Sequence, residues 1–216
     1  MNFPEMLPKK NEEILKNFYE SGFSVEKKLK ELEGPFVEVA GPTTEGYELV
    51  NLNKLDKKLF VSNLRDSPWR GKIDFRSDVR KLPIIDNSVS ALFVSNLGGP
   101  QFDSPEEFKQ LRNKFFSEKR DLIDKKEIKK FIKLSNIEFR KLKNEAIKEA
   151  FRIVEDKGLL IWQGGDKEDI IYAEHLGFVK KVIQNTLDRS SLNKSPQLLG
   201  NAYDCIFEKI SLEKGK

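Results

Sequence analysis

A short apolar run that ends in small residues is the first feature of the sequence that could carry chemistry. The run covers Phe36–Ala40 and leads into Gly41–Gly46, a turn of glycine, proline, threonine and glutamate. A strand that ends in this way lets the backbone approach a bound nucleoside, and ligands of open α/β sheets bind at the carboxyl ends of the strands. The turn lacks the Lys-Ser/Thr pair of a phosphate loop, so it does not predict a nucleoside triphosphate site. An ordinary strand-to-helix turn is the alternative interpretation.

Cysteine and histidine are too scarce for several other kinds of site. Cys205 is the only cysteine and His175 the only histidine. These counts exclude an intrachain disulfide, a multi-cysteine metal centre and a paired-histidine mechanism, and we predict no metal site. We expect Cys205 to be a buried small hydrophobic residue in a strand. His175 is expected near the carboxyl end of a helix.

Length and composition favour one domain, residues 1–216, that carries an insertion. Of the 216 residues 38% are hydrophobic and 34% charged, and the net charge is +4. No apolar run reaches the ~20 residues that a membrane span needs, and residues 1–10 show no secretory signal. We therefore expect a soluble, cytoplasmic protein without a membrane span.

Hydrophobic periodicity predicts an α/β chain in four stretches. These are two N-terminal helices (11–33), the first half of a sheet (34–100), a basic helical segment (101–145) and the second half of the sheet (146–216). Ser24 is predicted to cap the second N-terminal helix, and Gly158 to end a helix over residues 136–154. No helix is predicted between the last two strands, so the sheet is predicted to be mixed.

Four segments in this order resemble the class I S-adenosylmethionine-dependent methyltransferases. Val37–Pro42 is similar to the first strand and glycine turn of that family, and Ser77–Ser88 to its Asp-x-x-x-Leu-Pro segment. Glu149–Ile161 resembles its Glu-Ala-x-Arg helix and fifth strand, and Leu176–Phe178 its Gly-Phe entry to the sixth strand. The resemblance covers about residues 34–210. It implies a Rossmann-like α/β/α sandwich with a mixed, mostly parallel seven-stranded sheet and a helical insertion after the fourth strand.

The resemblance also implies a cofactor, S-adenosylmethionine, and a set of residues around it. Asp78 would meet the adenine amino group, and Val79 would pack on the ring edge. Asn96 is the one candidate for a catalytic residue, and with the Gly164–Asp166 loop it would lie on the methyl-acceptor side. The residues implied to hold the cofactor are Glu38, Ala40, Gly41, Asn63, Asp78, Val79 and Asn96.

Two departures from the family pattern keep other functions open. Ala40 and Pro42 stand where the family has its first two glycines, and Asn63 stands where it usually has a ribose-binding carboxylate. Because proline cannot adopt a positive φ, the turn must differ locally. A catalytically inactive methyltransferase-like binding module is therefore the alternative. A nicotinamide-dependent oxidoreductase is disfavoured, since no Gly-x-Gly-x-x-Gly follows the first strand.

The helical segment is the most basic part of the chain. Residues 105–144 hold 13 Lys or Arg against 7 Asp or Glu, a balance of +6. One interpretation is a lid over the acceptor site that recruits an anionic small molecule or nucleic acid. The other is a solvated helical cap on a lysine-rich protein. The acceptor, small or macromolecular, is not identified by the sequence.

Overall fold

A computed structural model describes residues 15–42, 47–64, 72–95, 97, 104–117, 124–186 and 202–210. The strands of this part of the chain are β1 (Phe18–Tyr19), β2 (Phe36–Val39), β3 (Leu59–Asn63), β4 (Phe75–Arg76), β5 (Val89–Ser95), β6 (Val154–Gly165), β7 (Phe178–Asn185) and β8 (Tyr203–Lys209). Its α-helices are α1 (Val25–Glu31), α2 (Glu106–Ser117), α3 (Lys125–Ile153) and α4 (Lys167–Leu176), and a 3₁₀ turn spans Leu52–Lys54.

The strands form one sheet in the order β1-β7-β8-β6-β5-β2-β3-β4. Neighbours from β6 to β4 are parallel, whereas β8 runs antiparallel to both β6 and β7. Without β1 and β8 the order is that of a doubly wound Rossmann sheet. The predicted mixed, mostly parallel sheet is confirmed, with β1 as an eighth strand at one edge.

Helices cover both faces of the sheet because the central strands are apolar on both sides. Every residue of β5 is buried. One face packs against α3 and α4 through residues such as Val39, Val94 and Ile147. The other packs against α1 and Tyr47, with Phe36 and Phe93 in the core. The result is the predicted three-layer α/β/α sandwich.

The first of the two predicted N-terminal helices is not formed over the described residues. Phe18–Tyr19 is instead a strand, β1, that pairs with Val182 and Ile183 of β7. Leu15 N–H donates to the Tyr203 hydroxyl at 2.9 Å, which ties the chain before β1 to β8. Pairing with an open sheet edge outweighs the weak helical preference of this segment. The second helix is confirmed as α1, and Ser24 caps it by accepting from Lys27 N–H at 3.3 Å.

The prediction that Gly158 caps a helix is also wrong. The helix α3 begins at Lys125, ends at Ile153 and leads directly into β6. Gly158 lies inside β6, where a Cβ atom would come within 2.9 Å of the Ser90 carbonyl oxygen. Glycine is needed there because β5 and β6 approach closely at a register shift. At the end of α4, by contrast, Gly177 is a left-handed cap with a φ of 111°.

No helix in the described ranges is long and apolar enough to cross a membrane.

Candidate functional site at the carboxyl edge of the sheet

The chain reverses its direction of winding between β2 and β5, which are neighbours in the sheet. In open α/β sheets such a switch point leaves a crevice outside the carboxyl ends of the strands. The residues predicted to hold a cofactor follow the carboxyl ends of β2, β3 and β4, or lie in them. The sheet therefore brings these segments to one edge.

The turn after β2 is held by β3. Gly41 N–H donates to the Ser62 carbonyl at 3.2 Å, and the Asn63 side-chain amide donates to the Gly41 carbonyl at 2.7 Å. Ala40 has a φ of 61°, a left-handed conformation that favours glycine. The turn thus keeps the backbone shape of a glycine position while carrying an alanine.

The Glu38 side chain lies against the Gly41 backbone of this turn. Its side chain is buried and accepts a hydrogen bond from the Tyr47 hydroxyl at 3.2 Å. A Cβ atom on Gly41 would come within 2.7 Å of the Glu38 Oε2 atom. The glycine at position 41 is therefore required by the Glu38 carboxylate, which sequence reasoning did not foresee.

Asp78 lies next to this turn but is engaged by another side chain. Ser77 N–H donates to the Asn63 carbonyl at 3.1 Å, which ties the Asp78 segment to the end of β3. The Asp78 carboxylate accepts from Arg80 Nη2 at 2.6 Å, from Arg80 Nε at 3.0 Å and from the Arg80 backbone N–H at 3.0 Å. Val79 packs against the core cluster beneath α3. An ion pair with Arg80 is a feature that the motif alone does not reveal.

The segment that carries Asp78 is anchored to α3 at three points. Arg80 Nη1 reaches the Glu145 carboxylate at 3.5 Å, and Leu82 N–H donates to Glu149 Oε1 at 2.6 Å. Arg152 Nη1 donates to the Ile84 carbonyl at 2.9 Å. Glu145, Glu149 and Arg152 follow one another at i, i+4 and i+7, so they lie on one face of the helix.

The two charged groups at the centre of this anchor stabilise each other. Burial alone would raise the pKa of Glu149, but hydrogen bonds from Arg152 and from Leu82 N–H outweigh it, and the pKa is lowered. The hydrogen bond to Glu149, together with one to Asp86, raises the pKa of Arg152. Glu149 is therefore held as a carboxylate against the site segment.

The predicted acceptor loop, Gly164–Asp166, is held in place by hydrogen bonds and ion pairs. Gly164 N–H donates to Asp204 Oδ1 at 3.1 Å. Asp166 caps α4 and accepts from Arg140 Nη2 at 2.6 Å and Lys143 Nζ at 3.0 Å. Burial raises the pKa of the neighbouring Asp169. The Lys143 ammonium group, which donates to Asp169 Oδ2 at 2.9 Å, opposes this effect in part. These groups form an ion-pair cluster that joins α3 to α4.

Three buried polar residues lie at this edge, and sequence reasoning passed over two of them, Gln163 and Asp204. Ser95 ends β5 and is in register with Gln163 of β6. Asp204 lies at the beginning of β8, which runs antiparallel, so it reaches the same edge. Each of the three is less than 10% exposed. The signal in the sequence was a polar residue at the end of an apolar strand.

Two residues singled out in the sequence lie outside the described part of the chain. They are Asn96, the catalytic candidate, and Gly46, at the end of the glycine turn. Cys205 is buried in β8 as predicted, and burial raises the pKa of its thiol well above the usual value. His175 lies in the last turn of α4, as predicted.

No protein-family model and no curated protein matches the sequence. Solved structures of three methyltransferases are similar to the chain. The first, a protein from Galdieria sulphuraria assigned as a sarcosine dimethylglycine methyltransferase, is 12% identical, with 82% of this chain and 78% of that chain covered and a TM-score of 0.40.

A geranyl diphosphate methyltransferase in complex with GPP and sinefungin is 10% identical, with 86% of this chain and 77% of that chain covered and a TM-score of 0.45. An antibiotic-related methyltransferase is 8% identical, with 84% and 90% covered and a TM-score of 0.34. At these values the fold is established by the strand order and pairing of the chain itself. The sheet is Rossmann-like, with the antiparallel strand β8 inserted between β6 and β7, and this topology confirms the predicted mixed, mostly parallel α/β/α fold.

Proposed function

We propose that this protein is a methyltransferase that uses S-adenosylmethionine. One observation carries the proposal: the carboxyl ends of β2, β3 and β4 are hydrogen-bonded to one another through Gly41, Asn63 and Ser77. These bonds gather the turn and the Asp78 segment around the switch point of the sheet, where ligands of this architecture bind.

The chemistry of the donor and acceptor groups fits the cofactor. A carboxylate accepts hydrogen bonds, and the amino group of an adenine donates them. Asp78, which Arg80 holds through three hydrogen bonds, is the carboxylate that would meet the adenine. The Asn63 side chain, whose amide nitrogen donates to the Gly41 carbonyl, also carries an oxygen of the acceptor type that a ribose hydroxyl needs.

Each residue then has a defined part in holding and orienting the cofactor. Asp78 would accept from the adenine amino group, Asn63 would meet the ribose, and the backbone of Ala40 and Gly41 would pass close to the amino-acid portion. When bound, S-adenosylmethionine would supply a methyl group activated for transfer to an acceptor atom, with the sulfur as the leaving group. The protein contributes alignment and exclusion of water. Such a reaction requires no acid–base dyad.

Thermal unfolding in the presence of ligands tests the proposal. A ligand present at 100 times its Kd stabilises the folded state by about 2.7 kcal/mol. For a chain of this size the midpoint should rise by about 5–10 °C with S-adenosylmethionine or S-adenosylhomocysteine. NADH serves as the matched control and should leave the midpoint unchanged. A rise with NADH alone would indicate the oxidoreductase instead.

The second candidate is a binding module without catalysis. It is favoured by the hydrogen bonds that the predicted site residues form with other residues of the protein. Arg80 occupies most of the Asp78 carboxylate, and Asn63 is bonded to Gly41. If these contacts are permanent, the edge is a rigid scaffold rather than a cofactor site. A protein that folds cooperatively but gains no stability from either cofactor form would favour this candidate.

A further inference from the structure

We propose that one face of α3 binds the phosphate backbone of a nucleic acid. The face consists of five exposed lysines, here called the basic face: Lys125, Lys126, Lys129, Lys133 and Lys141. This proposal goes beyond methyl transfer and does not depend on it.

The five lysines are segregated on the helix. At 100° per residue they fall within an arc of about 160° and extend over about 24 Å. None of them forms an ion pair with another residue in the described ranges. The acidic residues Glu127 and Glu138 lie outside this arc, and Glu127 is paired with Lys114 of α2 at 2.8 Å. Positive charge is therefore concentrated on one side.

Packing against α2 keeps the basic face turned outward. Phe108 of α2 stacks on Phe131 of α3 with ring centroids 5.9 Å apart. Leu111, Ile128 and Leu134 complete this small core. Phe131 lies on the side of the helix opposite to Lys129 and Lys133, so α2 leaves these lysines uncovered. Only near one edge of the arc does α2 contribute an acid, where Glu107 pairs with Lys130.

The part of α3 that carries the basic face extends beyond the carboxyl edge of the sheet, where the candidate site lies. From Ala146 onward, α3 packs in the core cluster against the sheet, and Arg140 contacts Asp166 just after the carboxyl end of β6. Since α3 runs opposite to β6, residues 125–139 extend past that edge. A polymer bound along the basic face would pass beside the candidate site.

A nucleic acid suits this surface better than a protein or a membrane does. Protein interfaces are depleted of lysine at their centre, whereas nucleic-acid interfaces are polar and positively charged. Amphipathic helices that enter membranes expose an apolar face, but the apolar face of α3 is buried. Among the residues of α3, Ile137 alone is a large hydrophobic residue with an exposed side chain, at 52%. One such residue does not make an apolar face.

Lysines recognise phosphate as point charges and carry no information on base sequence. We therefore expect binding without sequence preference and with strong salt dependence. For a single strand the logarithm of the affinity should fall with the logarithm of salt concentration by about 0.7 per phosphate contacted.

The test is fluorescence anisotropy of a labelled single-stranded RNA of mixed sequence, titrated with the full-length protein over a series of salt concentrations and without cofactor. The triple variant Lys125→Gln, Lys129→Gln, Lys133→Gln should bind at least tenfold more weakly and reduce the salt slope by about 2. The matched control carries the same charge change at exposed lysines elsewhere, Lys16→Gln, Lys30→Gln, Lys72→Gln, and should bind within twofold of the unaltered protein.

Three results would overturn the proposal. They are an absence of binding by the unaltered protein at low salt, an equal loss in the control variant, and equally tight binding to polyglutamate, which would mean that any polyanion is accepted. Because no cofactor is present, failure here leaves the proposed methyl transfer untouched, and the reverse also holds.

Discussion

The Glu149 carboxylate accepts a hydrogen bond from Leu82 N–H at 2.6 Å and joins two segments that are 67 residues apart. It also binds Arg152 at 2.6 Å, and Arg152 in turn donates to the Leu82 carbonyl at 3.1 Å. The backbone of the loop before β5 is thus paired with α3 in both directions. This arrangement fixes the segment that carries Asp78.

Removal of the Glu149 carboxylate should destabilise the protein strongly. Glu149→Ala leaves the buried Leu82 N–H without its acceptor and takes a partner from Arg152. We expect a loss of about 2–4 kcal/mol in the free energy of unfolding, measured by urea denaturation. Glu145→Ala is the control, because the Glu145 side chain is 41% exposed and its contact with Arg80 is long, at 3.5 Å. This substitution should lower the free energy of unfolding by less than about 1 kcal/mol. Equal losses would mean that the anchor is spread over the whole helix.

The same carboxylate predicts a dependence of stability on pH. Its folded pKa is lowered from 4.5 by Arg152 and Leu82 N–H, against the effect of burial. Its contribution is therefore complete above pH 4.5 and is lost as the pH falls through the lower, folded value. Glu149→Gln should be less stable near neutral pH and should lose less stability on acidification. Parallel curves of stability against pH for the two proteins would contradict this assignment.

Gly41→Ala tests the close approach between the turn and Glu38. The added Cβ atom would lie within 2.7 Å of the Glu38 carboxylate, so we expect a loss of about 1–3 kcal/mol. In a Glu38→Ala background the same substitution should cost less than about 0.5 kcal/mol, because the obstructing group is gone. A double-mutant cycle by urea denaturation measures this coupling. Additive effects would show that the glycine is needed for another reason.

Lys143 and Lys141 are neighbours on α3 with opposite environments. Lys143 is bonded to Asp166 and to Asp169, whose side chain is only 3% exposed. Lys143→Ala should cost about 2–3 kcal/mol, because it leaves the buried Asp169 with less compensation. Lys141→Ala, on the basic face, should change the free energy of unfolding by less than about 0.5 kcal/mol. Similar thermal midpoints for the two variants would contradict the buried ion-pair cluster.

Much of the fold follows from local sequence patterns. The apolar runs that became β5, β6 and β8 are bounded by polar or turn residues, and Gly177 marks the end of α4 because its φ of 111° favours glycine. The first N-terminal helix was predicted wrongly for a physical reason. Phe18 and Tyr19 have helical spacing with their neighbours, yet the open edge of β7 offers hydrogen bonds that a periodicity argument does not include.

The site was predictable in its placement and not in its contacts. The family resemblance implied that Glu38, Gly41, Asn63 and Asp78 lie together, and the parallel strands that carry them end at one edge of the sheet. The bond from Asn63 to Gly41 and the ion pair between Asp78 and Arg80 are set by side-chain directions in three dimensions. No spacing in the sequence encodes them.

Calorimetric titration with S-adenosylhomocysteine tests the central claim most directly. We expect micromolar binding to the unaltered protein and binding at least tenfold weaker to Asp78→Ala, because the loss of a charged hydrogen-bonding group costs about 1.5–3 kcal/mol. Asp86→Ala is the matched control: its side chain is 66% exposed in the same segment, and its affinity should stay within twofold. No binding up to millimolar concentration, or equal affinities for the unaltered protein and Asp78→Ala, would contradict a cofactor site at this edge of the sheet.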